Sequence, residues 1–365
     1  MAAKPFVLRA AFGSDNFFRD AYKYDLDHIY EWMDKVCNKD DPTGGPASQD
    51  DKTLALLQDV CRQLKALSLP SGTKFKDPKL APNSHFLRSF FKKPWDNEKG
   101  SPTSLFDVVK WPVTFRGPAY WEKLLPWWNP YDLLGLFLAL LGPTDQGADK
   151  NNFFLPLTAV YGRWCARIAG RVPGDTSSGA GDWPYMFQCT WHEERYIPTG
   201  GVWYFLGAST AGDEWDENTV GLWRSRVQLQ RFDMLYNGMD IKVLEPSDFR
   251  KHASIEQKTA AGSNNQYGNC AESYPFVIKI LVGGRRNNDM YGLALQRKYM
   301  TMENAPEEYQ DYSTGVIWRN LVGPCANCAH LIQGVGLNGA NFAKNLGKGE
   351  APKKPKPPKG PSEMV

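Results

Sequence analysis

The sequence predicts an α/β protein, with a mixed, helix-rich N-terminal region and an α/β domain near the C-terminus. Three observations carry this expectation. Apolar and aromatic residues recur at helical spacing over residues 16–37 and 53–67. Short apolar runs at Val202–Leu206 and Ile241–Leu244 read as buried strands. Two cysteine-bearing segments, 268–272 and 324–328, each stand ahead of an apolar helical pattern.

The first helical stretch runs through Phe18, Tyr22, Leu26, Ile29, Tyr30 and Met33. A polar linker rich in Asp, Gly and Pro follows at residues 39–51, and the helical pattern resumes from Thr53 to Leu67. Residues 111–131 are crowded with aromatics that prolines divide into short pieces. Rings of this kind can stack on bases, but a core or a domain interface is the better reading. The greasy run Leu133–Leu141 has about half the length that spans a bilayer, so a buried core helix is expected. Gly170–Asp182 is a Gly/Ser-rich loop without the Gly-Lys-Ser/Thr ending of a phosphate loop. His192 has no second histidine four residues on, so it is no zinc-protease motif. Asn218–Leu235 has helical spacing, and the Lys/Pro-rich tail from Lys348 is expected to be disordered.

With 365 residues and 42% apolar side chains the chain can build a substantial core. The expected division is an N-terminal region of unknown role over 1–239, a domain over 240–340, and a disordered tail over 341–365. A net charge of +3 is nearly neutral, so composition by itself does not call for nucleic acid. No signal peptide or membrane span is expected, which points to the cytoplasm or nucleus and to no membrane partner. Seven cysteines, an odd number in a long chain, argue against a disulfide framework and for metal ligands or reactive thiols.

The chemistry concentrates in Gly268-Asn269-Cys270-Ala271-Glu272 and Pro324-Cys325-Ala326-Asn327-Cys328. Asn269 can cap a helix continued by Tyr274, Val277, Ile278 and Leu281, with Pro275 in the tolerant first turn. Gly315–Trp318 reads as a strand, after which Ala329, Leu331 and Ile332 open a second helix at Cys325. A helix N-terminus favours thiolate over thiol, and zinc binds thiolates. A Cys-x-x-Cys turn sets two sulfurs about 3.5–4 Å apart, suited to zinc–sulfur bonds of about 2.3 Å. With Cys270 as a third ligand, one coordination position stays open, as in catalytic zinc sites. Glu272 then stands close to that position without being a ligand, where a carboxylate can move protons.

This pair of motifs resembles the cytidine deaminase-like superfamily, with Cys-x-Glu followed by Pro-Cys-x-x-Cys. The resemblance covers about residues 255–335. It implies a deaminase-like three-layer α/β/α domain, Zn2+ held by Cys270, Cys325 and Cys328, and Glu272 as proton shuttle. The all-thiolate set looks like that of many free-nucleoside deaminases and some toxin-type deaminases. Such a set makes the site net negative, with Arg285, Arg286 and Arg319 as candidate positive neighbours. The implied substrate is a nucleoside or single-stranded nucleic acid, deaminated at cytosine or adenine, with a nucleic-acid base slightly favoured. Candidate substrate contacts are Asn264 and Asn265 in the loop before the first motif, and Trp318 before the second. The gap of 55 positions between the first cysteines implies an insertion near Arg285–Tyr312. The two strands that normally follow the second helix are not evident after residue 340.

Three other readings compete. A thioredoxin-like redox protein would use Cys325 and Cys328 and leave Cys270 and Glu272 without a role. A structural zinc would take a fourth ligand from His330 or Cys189. A catalytically inactive deaminase-fold interaction protein would have no use for Glu272.

Overall fold

The computed structural model describes residues 17–38, 51–68, 130–142, 144, 148–169, 183–192, 202–211, 231, 232, 235, 267–276, 290–300 and 316–343. Helix α1 spans Phe17–Lys23 and α2 spans Leu26–Cys37. The single helix predicted over 16–37 is therefore two. Asp25 makes the break: its backbone is extended and its carboxylate accepts from the His28 N–H at 2.9 Å. Asp competes poorly inside a helix but satisfies an orphan N–H at its start, so it caps rather than continues. Helix α2 buries Ile29, Tyr30, Trp32, Met33 and Val36 on one face. Helix α3, Asp51–Ser68, buries Leu57, Val60, Cys61 and Leu64.

Helix α4 spans Pro130–Leu140 and is buried nearly all round, as its apolar sequence requires. Proline opens it where no intrahelical N–H is missed. A π-helical turn, Lys150–Phe154, leads into α5, Leu155–Ile168. The indole N–H of Trp164 in α5 donates to the Ala21 carbonyl at 2.7 Å and ties α5 to α1. Among the described residues no helix is long and apolar enough to cross a membrane.

The sheet has four antiparallel strands in the order β2-β1-β3-β4: β1 Met186–His192, β2 Trp203–Ala208, β3 Met290–Gln296 and β4 Leu321–Val322. Central β1 is paired along its length, from Met186 opposite Gln296 to His192 opposite Met290. One face packs on α4 and α5. Phe187 meets Tyr161 edge-on at 5.7 Å, Trp191 stacks on Phe154 at 4.2 Å, and the Tyr204 hydroxyl donates to the Leu138 carbonyl at 2.7 Å. The other face carries residues 267–276 and the 3-10 turn Gly339–Phe342, where Phe276 meets Phe342 at 5.8 Å. Mixed helix and sheet content, with helical segments on both faces, makes the fold broadly α/β.

Several expectations change here. β1 and β2 precede residue 240 and β3 and β4 follow it, so the expected boundary at 239/240 falls inside one sheet. The segment expected as an insertion contains β3, which pairs with β1 and β4 and buries Leu293 and Leu295. The described part of the run expected as a strand, 316–318, is not one. Val316–Arg319 forms a short helix, α6, closed by the Asn320 N–H on the Ile317 carbonyl at 3.1 Å, and the strand begins at Leu321. His192 is buried at the end of β1, opposite Trp203. The expected strand 241–244, the linker at 39–50, the Gly/Ser loop from 170, the aromatic residues 111–128 and the tail lie outside the described residues.

Candidate metal centre

Two chain segments build the centre, and both hang from strand ends. After β2, the Thr210 N–H donates to the Asn269 carbonyl at 2.9 Å, and the Thr210 hydroxyl meets the Asn269 side chain. Gly268 has φ 85°, in the left-handed region that suits glycine. Cys270 follows in a turn, with the Ser273 N–H on its carbonyl at 3.2 Å, and residues 273–276 are helical. Cys270 thus precedes the helix rather than lying in its first turn, and Asn269 is anchored to Thr210 rather than capping.

The segment lies flat on β2 because Gly207 has no side chain. A Cβ there would collide with the Ala271 carbonyl and stand 2.7 Å from Cδ of Pro275. The second segment leaves β4 through Gly323 and Pro324. Cys325 is the N-cap residue of α7, Ala326–Gly334, as the sequence pattern predicts. One helical turn then brings Cys328 over the same side as Cys325.

The three sulfurs converge. Cys270 Sγ lies 3.3 Å from Cys325 Sγ, and Cys270, Cys325 and Cys328 all lie within 4.8 Å of one another. Cys328 is buried and the other two are half-buried. The thiols of Cys270 and Cys328, followed by the backbone N–H groups of Cys328 and Asn327, hold the Cys325 thiol down at about 3. The smaller, backbone part of that effect is the helix N-terminus acting as an anion site. The thiols of Cys270 and Cys328 are pushed up, Cys270 chiefly by its hydrogen bond with Cys325 and Cys328 by its hydrogen bonds with Cys270 and then Cys325. Glu272 is buried beside them, 7% exposed. Burial pushes its carboxyl up to about 7, the Cys325 thiolate adds to that, and a hydrogen bond with Cys328 opposes it.

Three soft donors at this separation, with no fourth ligand among the described residues, can hold one metal ion. His330 is exposed and packs on Tyr267, and Cys189 faces Thr158 on the far side of the sheet. Neither joins the cluster, so the structural-zinc reading lacks the ligand it named. No family model, curated protein or solved structure matches this chain.

The other sequence candidates divide. Asn264, Asn265, Arg285 and Arg286 lie outside the described residues. Trp318 belongs to α6, but its side chain is not among the described ones. Arg319 is exposed on that same helix.

Sequence reasoning missed the buried pair behind the centre. Arg231 and Asp132 are both fully buried, with Arg231 Nη2 2.5 Å from Asp132 Oδ2. Arg231 also donates to the Gly268 carbonyl at 3.4 Å and lies 4.8 Å from the centre of the Tyr274 ring. It therefore grips the cysteine segment on both sides of Cys270. Burial pushes the Asp132 carboxyl up to about 6, while Arg231 and the Ala208 N–H pull it back. A basic residue 99 positions from its acidic partner leaves no local signal in sequence.

Proposed function

We propose that this chain is a zinc-dependent hydrolytic deaminase acting on cytosine or adenine, with a nucleic-acid base slightly favoured over a free nucleoside. The observation that carries this reading is the three-cysteine cluster with a buried, non-ligating glutamate two residues from Cys270. The helix–sheet–helix layering supports a deaminase-like three-layer domain, extended to include β1 and β2.

Cys270, Cys325 and Cys328 would hold the ion. When bound, zinc supplies a Lewis acid at which water becomes a nucleophile near neutral pH. Glu272 accepts the proton that the attacking water gives up. It passes that proton to the ring nitrogen beside C4 of cytosine or C6 of adenine. The water oxygen bonds to that carbon, Glu272 carries the remaining hydroxyl proton to the exocyclic nitrogen, the carbon–nitrogen bond breaks, and ammonia leaves with the oxygen retained as a carbonyl. Glu272 is buried, as are Ala271 and Tyr274 of the same segment, so bulk water is largely kept from its carboxylate. The two halves of the site are fixed in different ways. Arg231 and Thr210 orient the Cys270 segment, and the N-terminus of α7 orients Cys325 and Cys328.

Glu272→Gln tests the reading. It keeps the side chain's shape and removes its proton affinity. A positioned acid–base contributes ~10²–10⁴-fold, and a group used twice should lie at or above the top of that range. Ammonia release from nucleosides and from single-stranded DNA and RNA should collapse while zinc content stays level. Full activity in Glu272→Gln contradicts the mechanism. A zinc-loaded parent that deaminates nothing on that panel favours the inactive interaction protein.

A second reading has one observation in its favour. Cys325 is a low-pKa thiol opening a helix in Cys-x-x-Cys, as a thioredoxin-like redox site would have it. It leaves unexplained why Cys270 stands 3.3 Å from Cys325. Metal content separates the two readings.

A further inference from the structure

Just before β1 lies a surface feature that the metal centre does not use. Tyr185 is 53% exposed, one of two exposed large apolar side chains among the described residues. The Arg297 guanidinium lies 3.4 Å from the centre of its ring, against the ring face. Arg297 is itself fixed. Its Nη1 donates to the Trp183 carbonyl at 3.0 Å, and its backbone N–H donates to the Tyr185 carbonyl at 2.9 Å. The ring is thus backed by a cation, and more than half of its residue surface remains open. Lys298, next in the chain, is exposed.

This feature stands at the same end of the sheet as the cysteines. Met186 is opposite Gln296 and Phe187 is opposite Ala208, so Tyr185, Arg297 and Ser209 all lie just beyond that end. The Ser209 hydroxyl accepts from the N–H groups of Tyr185 at 3.0 Å and Met186 at 3.2 Å. Thr210, the next residue, holds Asn269, which precedes Cys270. From β3, the Gln296 N–H donates to the Asn320 carbonyl at 2.9 Å, and the chain then runs through β4 to Cys325. The Cys270 half of the candidate metal centre therefore hangs from the strand end that carries Tyr185, and β4 enters beside Gln296 before leading to Cys325, which lies 3.3 Å from Cys270.

An exposed ring with a fixed cation beside it is what a single-stranded nucleic acid needs. Any base can stack on the ring face, and a neighbouring phosphate meets the positive charge. A ring held in place by its guanidinium also loses little entropy when a base lands on it. We infer that Tyr185 and Arg297 form a stacking subsite for a nucleotide flanking the reactive base, which makes the substrate a single-stranded nucleic acid. The inference rests on the deaminase reading and names the substrate of that same site.

The test measures fluorescence anisotropy of the full chain with short labelled single-stranded DNA and RNA, across a salt series. Tyr185→Ala should weaken binding by about five- to hundredfold, the range for one lost base stack. Tyr185→Phe keeps the ring and should bind like the parent. Arg297→Ala should weaken binding and lower the slope against log salt by about one. Equal binding by the parent and Tyr185→Ala overturns the subsite, as does a parent that binds no single strand. Deamination of free nucleosides is followed in parallel. If no substrate is deaminated but binding still depends on Tyr185, the deaminase reading falls and the subsite stands. If nucleosides are deaminated and binding ignores Tyr185, the subsite falls and the chemistry stands.

Discussion

Lys150 shows how one buried charge sets a pH dependence. It sits in the π-helical turn before α5 and is only 7% exposed. Burial lowers its ammonium from the ordinary 10.5 to about 8. A folded pKa below the unfolded one means that, between about pH 8 and 10.5, the unfolded chain binds more protons, so stability rises with pH there. Below pH 8 the full penalty of the buried ammonium is present. Lys150→Met should therefore be more stable than the parent at pH 7, by ~1–3 kcal/mol. That advantage should shrink as pH climbs from 8 toward 10.5. Urea midpoints of both proteins across this range check it, and a gap that stays constant with pH contradicts it. Nothing in the local sequence marks Lys150 as buried, because a lysine in a polar stretch looks like any surface lysine. Cys270, Glu272, Cys325 and Cys328 are different. Their residue types and spacing drew attention to them, and the fold brings them together.

Elements were legible where local physics dominates. The all-apolar run 133–141 could only be a buried helix, and α4 is one. Cys325 at the mouth of α7 followed from the apolar spacing behind it. Where a capping side chain or a partner strand intervened, pattern misled. Asp25 split a helix whose apolar spacing ran straight through it. β3 hid in a segment with few strand signals because its pairing with β1 and β4 is supplied by distant residues. Gly207 in β2 makes the same point as a prediction. By propensity alone valine suits a strand better than glycine. Here a side chain would push Ala271 and Pro275 away and move Cys270 with them. Gly207→Val should cost ~1–3 kcal/mol, as overpacking does, and should also lower zinc content. Urea unfolding and metal analysis check both. A variant with parental stability and full metal would show that the 267–276 segment does not rest on β2 as described.

At the scale of the whole molecule, one sheet joins chain that the sequence divides. β1 and β2 arise before residue 240, yet they form the floor on which the Cys270 segment is mounted. The Asp132–Arg231 pair links α4 to that same segment across the interior. Helices α4 and α5 therefore do not stand apart from the candidate metal centre: they cover the back of its sheet. No sequence pattern could have shown this, because register and long-range ion pairs are properties of the folded chain. The central claim is that Cys270, Cys325 and Cys328 together hold one metal ion. Its most direct test is metal analysis of the purified chain with X-ray absorption at the zinc edge. The account predicts close to one zinc per chain with three sulfurs at about 2.3 Å, and loss of that zinc in Cys325→Ala. A metal-free parent with a Cys325–Cys328 disulfide would contradict it.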